Sequence, residues 1–221
     1  HWLEYGELQL GEKDKARAMV DSMQKYCTTL PSPRARAHMI LLKSTYLAET
    51  NDYSSDITAI RVDQRDLNIT NRAKEYFVRG MTAYYANNPA AMDSAIVQLA
   101  DERVTEGLKS SGTGIRMCGN INRSLATRTD LLEAETMEME LRAMRAWLNK
   151  DAKATEDFFK KATALHDEAG YSYGPPSIVK PSHEMYGEWL LENGRPKEAL
   201  VQFEKALELA PNKRLSVQGK E

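Results

Sequence analysis

The sequence predicts an all-α fold of about five antiparallel helical hairpins stacked side by side, an α-solenoid. Three observations predict it. Apolar residues recur at three- and four-residue steps along most of the chain. Short Gly, Asn and Pro breakers separate the periodic segments, and small residues stand at close spacing to large ones within each pair. The pair over 183–211 shows this best. Met185, Trp189 and Leu190 on its first segment and Leu200, Phe203, Ala206 and Leu207 on its second line one face of each helix with apolar groups. Gly187 has no side chain to hold a neighbour away, and Ala199 and Ala206 are short enough for a close crossing. Asn193 and Gly194 suit a left-handed end to the first helix, and Pro196 is accepted in the first turn of the second. Such a hairpin covers only one of its two apolar faces, so it requires neighbours.

Gly187, Leu190, Gly194, Ala199, Phe203, Ala206 and Pro211 fall at the spacings of a tetratricopeptide repeat, which this stretch resembles. The wider segment 174–214 is similar to the end of a group of bacterial tetratricopeptide repeat proteins, in which a Gly-Pro loop precedes the last hairpin and a Pro-Asn-Arg-like turn closes it. Here that turn is Pro211, Asn212, Lys213 and Arg214. The resemblance implies one repeat domain over 1–221 with its last well-formed repeat at 181–213, right-handed stacking and a bacterial origin. It also implies a non-catalytic scaffold or adaptor in which the first helix of each pair lines a concave groove for a protein or peptide. Members of the group are often exported, so a periplasmic and a cytoplasmic location both stay open.

Taken in order, 1–26 reads as a first hairpin, with Leu3, Leu8 and Leu10 before Gly11 and Ala16, Met19, Val20 and Met23 after it. Glu4 and Glu7 stand there where the repeat has a small residue and an aromatic one. After the breaker at 29–33, residues 34–50 carry Met39, Ile40, Leu42, Tyr46 and Leu47, and Asn51 and Asp52 stop the helix. A weaker helix is expected over 54–62, where Ile57, Thr58, Ile60 and Val62 are β-branched. Helices at 71–86 and 90–108 flank the breaker at 87–89. Residues 109–127 carry three glycines and read as a loop. Gly114 and Gly119 are spaced as in a phosphate loop, but Asn120 and Ile121 stand where that motif needs Lys and a hydroxyl. Helices at 129–149 and 152–168 follow as a pair of uncertain register. The loop 170–181, with Tyr171, Tyr173 and two adjacent prolines, is long for a repeat turn and stiff enough to fold back into the groove or form its rim.

A formal net charge of −2 lacks the basic excess that phosphate binding shows, which argues against a nucleic-acid partner. No apolar run reaches the length of a membrane span. The chain opens at His1 rather than Met, as expected of a processed or shortened piece. Cys27 and Cys118 are too few for a disulfide framework and are expected as thiols.

The polar residues of the first helices are the candidate partner-binding groups. Arg72 and Arg79 are seven apart, Arg142, Arg145 and Asn149 lie close to one face, and Glu184, Glu188 and Glu192 form an acidic stripe. With Tyr173 and His183 they outline a groove, basic in the middle and acidic at its C-terminal end, suited to an extended peptide. Solvated faces or ion pairs between neighbouring helices account for the same pattern. No cofactor, metal site or catalytic residue is expected: His38, His166 and His183 are scattered, and His183-Glu184 lacks the second histidine of a helical zinc motif. Met137, Met139 and Met144 at helical spacing read as adaptable core. Both ends of the array look uncapped, which leaves a homodimer, or a helper domain of a larger enzyme or exported assembly, as alternatives.

Overall fold

The computed structural model describes residues 1–111, 125–170 and 174–220. Among them are ten α-helices and no strand. They are α1 (Trp2–Gln9), α2 (Lys13–Thr29), α3 (Pro33–Thr50), α4 (Ile69–Tyr85), α5 (Pro89–Ser111), α6 (Arg128–Leu148), α7 (Ala152–Ala169), α8 (Ser182–Glu192), α9 (Pro196–Leu209) and α10 (Arg214–Lys220). None is long and apolar enough to cross a membrane.

The contacts sort the helices into two rows. In the first, α1 packs on α3, α3 on α4, α4 on α6, α6 on α8 and α8 on α10. In the second, α2 bridges α1 and α3, α5 bridges α4 and α6, α7 bridges α6 and α8, and α9 bridges α8 and α10. One turn makes the repetition. Each of the pairs α1/α2, α4/α5, α6/α7 and α8/α9 is joined by three residues, the middle one in the left-handed region: Gly11 (φ 81°), Asn87 (φ 50°), Lys150 (φ 60°) and Gly194 (φ 69°). In every case the next residue's N–H donates to the carbonyl five residues back, as from Asn88 to Ala83 at 2.9 Å and from Arg195 to Leu190 at 2.9 Å, which consumes a carbonyl the helix end leaves open. Counting from the left-handed residue, the fifth position is buried in all four pairs (Ala16, Met92, Thr155, Ala199), and so is the ninth (Val20, Ile96, Phe159, Phe203). Seven residues before it stand Gly80, Ala143 and Gly187, and in the first pair a carboxylic acid, Glu4, which is nevertheless buried.

The helix expected over 54–62 does not form. That segment holds a single 3-10 turn, Asp56–Ala59, with an extended stretch after it. The β-branched side chains lose rotamer freedom in a helix, and local hydroxyls offer the backbone another course: Ser55 caps the Ile57 N–H, and Thr58 bonds back to the Ser55 carbonyl. The α3 helix therefore has no full second-row partner of its own. The two ends expected to stand open meet in part. Arg214 donates to the Leu8 carbonyl at 3.2 Å and the Glu49 carbonyl at 2.8 Å, and Gln9 Oε1 accepts from the Arg214 backbone N–H at 2.8 Å. The beginning of α10 is thus seated on α1 and α3, while Trp2, Leu3 and Leu10 of the first hairpin remain exposed. Cys27 is a partly buried free thiol. Cys118, Gly114 and Gly119 lie outside the described residues.

Close approach is required at Gly187, where a Cβ would stand 2.9 Å from the Phe203 ring, while one on Gly6 would meet nothing within 4 Å. The same substitution therefore has opposite signs at the two sites. In urea unfolding, Gly6→Ala gains up to about 1 kcal/mol from helix propensity, whereas Gly187→Ala loses about 1–2 kcal/mol from overpacking the rigid ring.

Candidate functional site

Three first-row helices end side by side, and their last turns carry aromatic residues. Tyr84 and Tyr85 close α4, Trp147 lies one residue before the end of α6, and Glu188 and Glu192 occupy the last turns of α8. Tyr85 stacks on Tyr53 (centroids 5.0 Å apart, planes at 11°), Tyr84 meets Tyr85 edge-on at 5.3 Å, and Tyr84 and Trp147 are 5.9 Å apart. The Tyr84, Tyr85 and Trp147 rings, with Met81, Met144 and Met185, wall a cleft of about 80 Å³ that also receives Lys180, Glu188 and Glu192. Lys180 Nζ bonds Glu188 Oε1 at 2.7 Å and Asn51 Oδ1 at 3.0 Å, so Glu188 is matched, while Glu192 stays exposed with no ion-pair partner among the described residues. Burial pushes the Glu188 carboxyl up against the pull of Lys180. Burial also raises the Tyr84 hydroxyl to about 12, with Glu192 and Tyr85 adding to it. The C-terminal ends of three helices add partial negative charge to the same place.

Lys180 enters this region from the segment 174–181. Gly174 lies against the Trp2 ring, where a Cβ would clash. The Ser177 carbonyl accepts from the buried Lys74 ammonium, and Ile178, Val179 and Lys180 are buried. Ser182 then donates through its hydroxyl to Glu140 and through its backbone N–H to His166 Nδ1 at 3.2 Å. Burial, reinforced by His183, lowers His166 to about 4, which keeps it neutral and able to accept. Below lies a buried ionic junction: Lys213 Nζ is 2.8 Å from Glu49 and 3.0 Å from Glu184, Ser216 donates to Glu184, and Gln9 donates to Glu49 at 3.0 Å. Desolvation opposes charge on Glu184, but Lys213, Lys180 and the Ser216 hydroxyl outweigh it and hold the carboxyl below its usual range.

The structure separates most of the residues expected to share a groove. Arg72 turns to α5, 3.1 Å from Glu102 and 2.9 Å from Glu106. Arg145 makes a two-pronged bond to Asp93 at 2.8 and 3.1 Å. Arg142 pairs within its own helix with Glu138 at 2.8 Å, and Arg79 lies over the Tyr76 ring with its Nε 3.4 Å from Glu75. Asn149 is the exposed C-cap of α6. His183 is buried with both ring nitrogens engaged, by Gln202 at 2.7 Å and Asp167 at 2.9 Å. The acidic stripe divides by depth, from the fully buried Glu184 through Glu188 to the exposed Glu192. Tyr173 lies outside the described residues. Lys180 and Glu49 carry no mark in the sequence reading, Asn51 enters it only as a helix stop and Lys213 only as part of a turn; of the four, only Lys180, set between buried Ile178, Val179 and Pro181, has an apolar context to signal it.

Among the described residues no group of three or more His, Cys, Asp or Glu side chains converges as a metal site. Protein-family models, curated proteins and solved structures contain no match to this chain.

The Glu140 carboxyl beneath the segment has one oxygen without a hydrogen-bond partner and is pushed by burial from 4.5 to about 8. The folded protein therefore holds a proton that the unfolded chain releases near 4.5, and its stabilising effect, present below that pH, is lost as pH rises toward 8. Glu140→Gln carries no such proton. Chemical unfolding at pH 5 and pH 8 is expected to show the variant gaining on the parent protein as pH rises, by on the order of a few kcal/mol; an offset that does not change with pH contradicts this assignment.

Proposed function

We infer that the chain is a tetratricopeptide-like α-solenoid acting as a non-catalytic scaffold, and that it holds a polypeptide partner by a cationic side chain placed in the cleft between α4, α6 and α8. Support for the architecture comes from the turn used four times and the two-row packing, in which the first row would form the concave surface. Segment 174–181 covers part of that surface, so the binding region is narrower than an open peptide groove.

The observation that carries the reading is the composition of the cleft: Tyr84, Tyr85 and Trp147 with the unmatched Glu192, at three helix C-termini. Aromatic faces attract a lysine ammonium or an arginine guanidinium, and partial desolvation strengthens the attraction to roughly 2 kcal/mol. Carboxylates and helix ends of negative sign add to it. A volume of about 80 Å³ admits the head of one such side chain and little more. The non-catalytic reading is supported by the engagement of His183 and His166 in packing contacts.

Titration of Trp fluorescence with short peptides tests this. Peptides bearing one central Arg or Lys are expected to bind, more weakly at high salt, with the Met-substituted peptide about tenfold weaker or worse. Glu192→Gln, at an exposed position, is expected to weaken the cationic peptides severalfold and leave the Met peptide unchanged. Equal binding of the cationic and Met peptides sinks the reading.

A further inference from the structure

The missing second-row helix beside α3 has a consequence on the far side of α4. The segment around Thr58–Arg61 is too thin to fill the space against α4 and α5, and a cavity of about 670 Å³ remains. Its charged lining is Lys43 from α3, Arg61 from the segment, and Glu75 and Arg79 from α4. Glu75 is already committed: it is fully buried against the Lys43 ammonium, which also donates to the Ile60 carbonyl at 3.0 Å, and it takes the Arg79 Nε at 3.4 Å. Arg61 is exposed and has no carboxylate partner among the described residues, and Arg79 uses only its Nε in an ion pair. Three cations against one carboxylate leave two positive charges at one cavity. The Lys43 ammonium registers them: burial lowers it first, Glu75 supports it, and both Arg79 and Arg61 push it further down.

The remainder of the wall differs in kind. Ala83, Ala91 and Ala95 make a shallow apolar floor, and Thr82, Ser94 and Gln98 place hydroxyl and amide groups around it. We propose that this cavity binds a small organic oxyanion, a phosphate or carboxylate held between the Arg61 and Arg79 guanidiniums, with a hydroxylated body resting against the α4–α5 wall. Guanidinium forks match both oxyanions. The cavity falls within the usual size of small-molecule sites and is far larger than a bare ion needs. This site is separate from the aromatic cleft, whose charge is of the opposite sign, and does not depend on it.

Calorimetric titration with four probes tests the proposal: a hexose phosphate, a sugar acid such as gluconate, the neutral hexose, and inorganic phosphate. At least one of the first two is expected to bind, at least tenfold more tightly than the neutral hexose and than inorganic phosphate. The stronger of the two identifies the anion. Arg61→Ala, at an exposed position, is expected to weaken that probe about tenfold or more. Arg79→Lys, which keeps the charge but loses the fork, is expected to weaken it severalfold with unfolding unchanged in urea. The proposal is overturned by no binding of either organic anion, by equal binding of the neutral hexose, by inorganic phosphate binding as tightly as the organic anions, or by Arg61→Ala without effect.

Discussion

The interaction on which the structure most depends is the burial of Lys213 between Glu49 and Glu184. It lies at the entry to α10, after the left-handed Asn212 (φ 63°), and joins residues 164 and 29 positions earlier in the chain. Burying an ammonium and two carboxylates is expensive, and only close pairing with satisfied hydrogen bonds offsets the cost. Here the carboxylates have further donors in Gln9 and Ser216, and Lys180 approaches from above. The junction therefore ties α1, α3, α8 and α10 at one point. A row of helices that touched only nearest neighbours would have no such crossing. With this one, both ends of the row and the segment 174–181 share a single polar core.

That arrangement shapes the proposed sites. Where α4, α6 and α8 end, Lys180 delivers one internal cation for two carboxylates. On the other side, the 51–68 connection leaves three cations facing one carboxylate among the described residues. A chain of nearly balanced net charge thus carries two local imbalances of opposite sign, neither visible in the total.

The helices were legible because their apolar stripes are regular, and the expected boundaries lie within about three residues of those found for α3 to α9. The turns were half legible. Gly11 and Gly194 announce a left-handed residue, but Asn87 and Lys150 adopt the same conformation without a glycine, so no glycine marks the register of the α6/α7 pair. Burial of charge was not legible. Lys213 and Glu49 look like any solvated pair in one dimension, and their partners come from distant parts of the chain. The acidic stripe on α8 was read from helical spacing alone, which places residues on a face but does not say whether that face is covered. Lys213 and Ser216, at the start of α10, cover the deep end of it at Glu184, and Glu192 stays outside.

Hydrogen–deuterium exchange on Lys213→Met beside the parent protein tests the central claim most directly. Removing the ammonium leaves Glu49 and Glu184 facing each other without a cation, so faster exchange is predicted not only in α10 but also in α1, at the end of α3 and across 174–181, with α5 and α7 unchanged. Faster exchange confined to α10 would contradict it, because the two ends of the row would then be held together by something else.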